Sequence, residues 1–389
     1  MAGKHEQRAH ALLSASGASR WLNCTPSARM EEEFHESQNS VFAQEGTLAH
    51  ELAEMALKAH LGLISLDEGK IQANTIKSNE LFSEEMPSEV EKYTDYVIEQ
   101  FNQAKLKTPD AVLLLEQKID LRDYIPDGFG TNDAVIIADG LMYVIDLKYG
   151  KGVRVEAEDN SQLKLYGLGA LDAFDMLYNI DRVKLVIVQP RLDHVSEWEI
   201  SAKDLKEWGE KVVKVKAKEA FEGKGLCVAG DWCRWCKAKA RCGTIAAKVM
   251  KLTDHEFKSP NLLKDESLIK VYDQIPLIED WIKSVHDYMY AEALAGKEWK
   301  GYKLVEGRSV RKWKDESLVI TELETDFGKE KLLNSKLKGI GDIEKLLGKV
   351  AFAERLKYLV LKPAGTPSLV PISDKRPALN SALNDFADI

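Results

Sequence analysis

The sequence predicts an α/β fold, in which a mixed sheet flanked by helices is followed by a helical C-terminal extension. Apolar residues recur at helical spacing in two segments before residue 106. Between residues 111 and 200 the pattern changes to short apolar runs that are typical of buried strands. Helical spacing returns after residue 202, so the sheet is expected between two helical regions.

The predicted elements follow this pattern along the chain. Helices are expected at residues 47–60, 88–105, 159–173 and 202–221. Strands are expected at residues 111–119, 130–138, 141–149, 183–190 and 195–200. The turn Ala138-Asp139-Gly140 makes the second and third strands a hairpin, and the last two strands are expected to pair. Residues 63–88 are expected to form an irregular connection.

The C-terminal third is expected to be mostly helical, with a hairpin at residues 301–313. Residues 362–389 carry four of the eleven prolines, which indicates an extended tail. The predicted domains are therefore a core at residues 1–245, a mainly helical region at residues 246–365 and the tail at residues 366–389.

Net charge, the length of the apolar runs and the cysteine count exclude some classes of protein. A net charge of −9 argues against indiscriminate coating of DNA, so a nucleic-acid partner would need a narrow basic track. The apolar runs are too short to span a bilayer, and the N-terminus lacks the apolar stretch of a secretory signal. We therefore expect no membrane partner and a cytoplasmic location. Five cysteines cannot all pair, which favours metal ligation over disulfides.

Charged side chains on the predicted hairpin indicate a metal site. Asp133 and Asp146 lie on its two strands, and Lys148 is expected on the same strand face as Asp146. Glu116 lies on the strand before. Carboxylates on apolar strands need partners, and hard oxygen ligands suit Mg²⁺ or Mn²⁺. An Asp-x-Lys pair alone is common on solvated strand faces as a surface ion pair. The residues around it must therefore indicate whether it belongs to a functional site.

Four motifs occur in order around these residues: G-x-x-x-H at residues 46–50, G-x-x-D at 130–133, D-x-K at 146–148 and Q-x-x-x-Y at 162–166. Together they resemble the RecB-like branch of the PD-(D/E)XK nuclease superfamily. The resemblance implies a restriction-endonuclease-like fold and metal-dependent hydrolysis of phosphodiester bonds, leaving a 5′-phosphate and a 3′-hydroxyl. The nominal Pro-Asp of the superfamily is Asn132-Asp133 here.

The resemblance also implies a role for each residue. The metal ligands would be His50, Asp133 and Asp146, with the Leu147 carbonyl as a fourth. Lys148 would position the attacking water and stabilise the transition state. Gln162 and Tyr166 would support the site or contact the DNA backbone, and Glu116 would be an accessory carboxylate.

The cysteines indicate a second metal site. Cys233, Cys236 and Cys242 are spaced C-x₂-C-x₅-C, which favours ligation over packing. Cys227 would complete a local zinc site, whereas Cys24 would complete a [4Fe–4S] cluster with the same three. The second arrangement resembles AddB-type helicase-nucleases and CRISPR-associated exonucleases, and this favours the iron–sulfur cluster with Cys227 as a spare thiol.

Two regions outside the predicted core could contact DNA. Trp232 and Trp235 are interleaved with basic residues, which suits either base stacking or packing around the cysteines. Residues 329–362 contain nine Lys/Arg and four Asp/Glu, a local net charge of 9 − 4 = +5. Residues 301–313 and 369–378 resemble a family of uncharacterised phage and prophage proteins.

The function predicted from the sequence is a metal-dependent DNA exonuclease acting in phage DNA recombination or processing, in the cytoplasm of a bacterial host. Its partners would be DNA and phage recombination proteins, such as a single-strand annealing or binding protein, and an oligomer is compatible with the sequence. The alternatives are a non-catalytic DNA-binding scaffold on a nuclease fold and a zinc-binding interaction module.

Overall fold

The structure is a computed structural model that describes residues 12–34, 41–255, 265–307, 311–334, 336–361, 363 and 366–379. The chain divides into two compact units, Met1–Trp281 and Ile282–Ile389. The mixed α/β fold with a helical C-terminal region is confirmed. The domain boundaries at residues 245 and 365 stay a prediction. None of the helices in the described ranges is both long and apolar enough to cross a bilayer.

The first unit is built on one five-stranded sheet. Its strands are β1 (Val112–Asp120), β2 (Phe129–Ala138), β3 (Leu141–Leu147), β4 (Arg182–Gln189) and β5 (His194–Ser201). They lie side by side in chain order, and every neighbouring pair is antiparallel except β3 and β4, which are parallel. The sheet is therefore mixed, as the sequence predicts, and the predicted hairpin and final strand pair are confirmed.

Helices cover both faces of this sheet. In chain order, the α-helices described up to residue 294 are α1 (Ala18–Asn23), α2 (Ser27–Met30), α3 (Val41–His60), α4 (Leu66–Lys77), α5 (Met86–Lys107), α6 (Ser161–Phe174), α7 (Ala202–Trp208), α8 (Lys214–Phe221), α9 (Gly243–His255) and α10 (Asp265–Leu294). One apolar core lies between the sheet and α3 and α5, and the other between the sheet and α1, α6 and α8. The connection from β3 to β4 runs through α6, which parallel strands require.

The irregular connection expected at residues 63–88 is wrong, because α4 lies within it. The Ser65 hydroxyl accepts a hydrogen bond from the Glu68 backbone, and the Glu68 carboxylate accepts one from the Ser65 backbone. This reciprocal capping box marks a helix start. Ser65 and Glu68 carry the signal in the sequence, but the polar helix that follows has little apolar periodicity.

The second unit contains short elements around a small apolar core. They are β6 (Tyr302–Val305), β7 (Lys312–Trp313), α11 (Glu316–Phe327), α12 (Lys329–Leu332), β8 (Leu333–Asn334), β9 (Lys336–Leu337), α13 (Ile340–Leu347), α14 (Lys349–Arg355), β10 (Val360–Leu361) and β11 (Ser368–Pro371). The predicted hairpin at residues 301–313 is wrong, since β6 pairs with β11 and β7 with β10. In the predicted tail β11 is extended, and residues 380–389 lie outside the described residues.

Candidate metal centre

The sheet is distorted at the point where the predicted metal ligands lie. Residues on either side of Glu116 in β1 pair with β2 in one continuous register, but Glu116 itself does not pair with Asp133. Its φ of 46° is a left-handed conformation that costs a non-glycine residue on the order of 1–2 kcal/mol. The β2–β3 register stops at Ala134 and Ile145, so Asp133 is also unpaired on its other side. The ladder therefore opens around the Asp133 carboxylate.

At this opening, the Asp133 carboxylate contacts β3 and α3. Its Oδ2 accepts a hydrogen bond of 2.7 Å from the Leu147 backbone N–H. Its Oδ1 lies 3.3 Å from Nδ1 of His50, which projects from α3. The carboxylate thus links β3 to α3 and fixes the place of both.

His50, Glu116 and Asp133 form a potential cation site. In the described part of the chain, they are the group of three whose possible ligand atoms all lie within 4.8 Å of one another. Two carboxylates and an imidazole are ligands that suit Mg²⁺ or Mn²⁺. Glu116, which the sequence analysis places in an accessory role, therefore belongs to the central group.

The charges in this group favour a cation. Burial lowers the pKa of His50, but the charge and hydrogen bond of Asp133 outweigh burial and raise it to about 9. Burial and then the charge of Asp133 raise the pKa of Glu116 to about 7. His50 and Glu116 thus retain protons because negatively charged groups lie close together, and a divalent cation would replace these protons.

Asp146 and Lys148 form an ion pair beside this group. Asp146 is 3% exposed, and its Oδ2 lies 2.9 Å from the Lys148 Nζ. Burial raises the pKa of Asp146, and the charge of Lys148 opposes that change. Burial lowers the pKa of Lys148, but Asp146 reverses this, so the pKa of the ammonium is raised. The charged lysine is therefore favoured at this position.

Gln162 connects the ion pair to α6. Its Oε1 accepts a hydrogen bond of 3.1 Å from the Lys148 Nζ, and its Nε2 donates to Asp146 Oδ1 and the Tyr166 hydroxyl, both at 3.2 Å. An ammonium on one side and a carboxylate on the other fix the orientation of the amide. Gln162 and Tyr166 thus share one helix face, as their spacing predicts, and Gln162 holds Lys148 in place.

Contacts distant in the sequence hold the loop between β3 and α6. The buried Gln189 amide donates to the Val153 carbonyl at 2.9 Å and accepts from the Val155 N–H at 2.7 Å. Asn160 then caps α6 by accepting from the backbone of Gln162 and Leu163. Sequence reasoning missed Gln189, because a glutamine at the end of a strand carries no signal of a partner 34 residues away.

Gly130 leaves room for the Tyr166 ring. A Cβ at Gly130 would lie 3.0 Å from Tyr166 Cε1 and 3.5 Å from the Ile119 side chain. The glycine of the G-x-x-D motif and the tyrosine of the Q-x-x-x-Y motif are therefore two sides of one contact.

Gly130→Ala is expected to destabilise the protein by about 1–3 kcal/mol, because it forces the Tyr166 ring away from the sheet. Chemical denaturation measures the change. Gly46→Ala is the matched control: Gly46 lies in α3 with open space around the point that a Cβ would occupy, so alanine should be neutral or stabilising. Equal stability of the wild type and the Gly130 variant would contradict the proposed contact.

Metal binding is expected to release protons. At pH 7.5 most of His50 is protonated, since its pKa is about 9, and an imidazole must be neutral to bind a cation. Mn²⁺ affinity should therefore rise with pH up to about 9, and roughly one proton should leave His50 at pH 7.5. Calorimetric titrations in buffers of different ionisation enthalpy count these protons. Without proton release at pH 7.5, or with unchanged release in His50→Ala, His50 is not a ligand.

All five cysteines line one cavity in the first unit. The cavity is small, with about 20 Å³ of space for the centre of a water molecule, and Arg20 and Lys239 contribute to its wall. Cys24, Cys233 and Cys236 are buried, whereas Cys227 and Cys242 are partly exposed. The structure thus brings Cys24 to the C-x₂-C-x₅-C segment, and it places Cys227 in the same cavity.

Hydrogen bonds dock the segment around Cys24 independently of any metal. The Thr25 hydroxyl donates to the Lys224 carbonyl, and the Arg29 Nε donates to the Phe221 carbonyl, both at 2.7 Å. The Glu31 carboxylate accepts from the Lys237 N–H at 2.7 Å. These contacts join segments about two hundred positions apart, so local sequence patterns could not reveal them.

The two tryptophans of the cysteine segment have different environments. Trp232 packs against the apolar cluster around Cys233 and donates its indole N–H to the Val228 carbonyl at 2.8 Å. Trp235 is 71% exposed, and the Arg234 guanidinium lies 5.4 Å from its ring centroid. Packing explains Trp232, and Trp235 remains accessible for stacking.

Comparison with known proteins establishes the family. The chain belongs to the family described as "Protein of unknown function (DUF2800)", whose sequence profile matches residues 10–377. A solved structure titled "Crystal structure of SSO0001" is 12% identical; the match covers 56% of this chain and 94% of that chain, with a TM-score of 0.22.

Proposed function

We propose that the protein is a metal-dependent deoxyribonuclease of the RecB-like branch of the PD-(D/E)XK superfamily, acting as an exonuclease. The observation that carries this proposal is the convergence of His50, Glu116 and Asp133 within 4.8 Å at the opened edge of the ladder. An Asp–Lys ion pair held by a glutamine lies beside them. All four motifs of the sequence therefore meet at one place.

The residues fit a divalent cation. His50, Glu116 and Asp133 would hold it, and Asp146 remains the further ligand that the family resemblance implies, together with the Leu147 carbonyl. Asp146 Oδ2 is buried, and the Lys148 ammonium lies 2.9 Å from it. When bound, a divalent cation neutralises phosphate oxygens and lowers the pKa of water.

The remaining chemistry belongs to the side chains. Lys148 carries a positive charge that Asp146 stabilises and that Gln162 orients. An ammonium at this position can order an attacking water and offset negative charge that develops on a phosphate. Tyr166 holds the other end of the Gln162 amide and so limits its rotation.

The cysteine cavity supports a [4Fe–4S] cluster as a second cofactor. All five thiols line one cavity, so Cys24 lies with the C-x₂-C-x₅-C segment as the fourth ligand that the resemblance implies. The Gly230 N–H lies 3.5 Å from Cys233 Sγ, and such N–H···S contacts stabilise cluster thiolates.

The proposed substrate is DNA, and the proposed setting is phage recombination or DNA processing with a single-strand annealing or binding protein as partner. The setting rests on the resemblance of residues 301–313 and 369–378 to phage and prophage proteins, and the strands β6 and β11 of these two segments pair with each other. A ring-shaped oligomer around DNA would suit processive degradation.

The test is cleavage of end-labelled single- and double-stranded linear DNA by protein purified anaerobically. Mg²⁺ or Mn²⁺ should support cleavage, EDTA should stop it, and products should carry 5′-phosphates. A covalently closed circle distinguishes an exonuclease, which leaves it intact, from an endonuclease. DNA binding without cleavage under any divalent metal would favour the non-catalytic scaffold, and a colourless zinc protein would favour the interaction module.

A further inference from the structure

The hydroxyl of Tyr93 is buried without a hydrogen-bond partner. Tyr93 lies in α5 and is 1% exposed. None of the described residues hydrogen-bonds its hydroxyl oxygen. Burying an unpartnered hydroxyl is unfavourable, and a phenylalanine would fill the same space without that cost. The oxygen therefore requires a partner that the described residues do not supply.

Tyr93 lies in the apolar core that flanks the proposed metal centre. It belongs to the apolar core between the sheet and α3, and the members of this core include the direct neighbours of His50, Asp133 and Asp146 in the sequence: Ala49, Ala134, Ile145 and Leu147. Beyond the effect of burial, the negative charges of Asp133, Asp146 and Glu116 raise the pKa of Tyr93 well above its usual range. The hydroxyl thus stays protonated and is available as a donor close to three carboxylates.

We propose that Tyr93 is a positioning residue whose hydroxyl hydrogen-bonds a water of the hydrated divalent cation held by His50, Glu116 and Asp133. Mg²⁺ and Mn²⁺ sites in proteins commonly keep several waters, and a buried hydroxyl beside the ligands suits one of them. The inference rests on the proposed metal-dependent function and adds a residue from α5, which carries none of the four motifs.

If Tyr93 has this role, Tyr93→Phe should affect stability without metal and Mn²⁺ affinity in different ways. Without metal, the variant should be as stable as the wild type or more stable, because it removes a polar atom that has no partner. With metal, the variant should bind Mn²⁺ about tenfold more weakly, the lower end of the range for losing an outer-shell contact. A tyrosine that only packs would give no change in Mn²⁺ affinity.

Tyr124→Phe is the matched control. Tyr124 is also buried, but it packs in the core on the other side of the sheet, and its hydroxyl donates to Asp172 Oδ1 at 3.3 Å. Its removal should lower stability equally with and without metal and leave Mn²⁺ affinity unchanged. The two variants thus lose the same atom in two different environments.

The experiment is a calorimetric Mn²⁺ titration of the full-length wild type, Tyr93→Phe and Tyr124→Phe, with thermal melting in EDTA and in Mn²⁺. Weaker Mn²⁺ binding by Tyr93→Phe alone, without loss of melting temperature in EDTA, supports the inference. Equal Mn²⁺ affinity of the wild type and Tyr93→Phe overturns it and leaves the proposed nuclease intact. A wild type that binds no Mn²⁺ overturns both.

Discussion

Lys148→Met is expected to lower the rate of DNA cleavage by about 10²- to 10³-fold, the size of effect seen when one preorganised charged donor is removed from a reacting group. Methionine keeps the length and apolar part of the side chain but removes the charge. In the wild type, the Lys148 Nζ contacts both Asp146 and Gln162, so its position is set before any substrate arrives. Initial rates on end-labelled DNA in saturating Mg²⁺ measure the effect.

Lys151→Met is the matched control for charge. Lys151 is an exposed lysine three residues after Lys148. Its Nζ lies 3.0 Å from a Glu85 carboxylate oxygen and so has a different partner from the Lys148 Nζ. Its loss should change the cleavage rate less than about threefold, as expected for an exposed ion pair. Thermal melting checks that Lys148→Met is folded at the assay temperature, because this variant leaves Asp146 without its cation. Similar activity of both variants would remove Lys148 from the proposed chemistry.

Cys233→Ser is expected to abolish the iron–sulfur cluster and lower stability by about 2–5 kcal/mol, the range for losing a structural crosslink across a long loop. Cys24 and Cys233 are 233 − 24 = 209 positions apart, so the cluster would tie distant parts of the first unit together. Wild-type protein purified anaerobically should be brown and contain about four irons and four sulfides per chain. Iron analysis, the visible spectrum and denaturation measure the loss.

Cys24→Ser and Cys227→Ser decide the fourth ligand. Both thiols line the cavity, so position alone does not separate them. With Cys24 as the ligand, Cys24→Ser should lose the chromophore and Cys227→Ser should keep it. The opposite result would assign the site to the local cysteines, and bound zinc without iron would reject the cluster altogether.

The sequence predicts those parts of the fold that short-range patterns encode. The hairpin of β2 and β3 follows from apolar runs on either side of Asp139-Gly140, and its pairing is as expected. The second unit differs, because β6 pairs with a strand more than sixty residues away. Proximity along the chain favours a local hairpin for residues 301–313, and only tertiary packing makes the longer connection preferable.

For the residues of the site as well, the sequence predicts only what local patterns encode. His50, Asp133, Asp146 and Lys148 can be identified because their motifs are local. The central place of Glu116 depends on a left-handed backbone in the middle of β1, which nothing in its neighbours predicts. The environment of Tyr93 likewise follows from the packing of α5 on the sheet, since its spacing indicates only an apolar helix face.

The central claim is that His50, Glu116, Asp133 and Lys148 form a metal-dependent nuclease centre. The most direct measurement is the initial rate of linear DNA cleavage in Mg²⁺ by the wild type, compared with Lys148→Met purified in the same way. The comparison removes activity from contaminating nucleases. A ratio of about 10² or more, with no wild-type cleavage in EDTA, is the predicted result. A ratio near one, or cleavage that persists in EDTA, would contradict the claim.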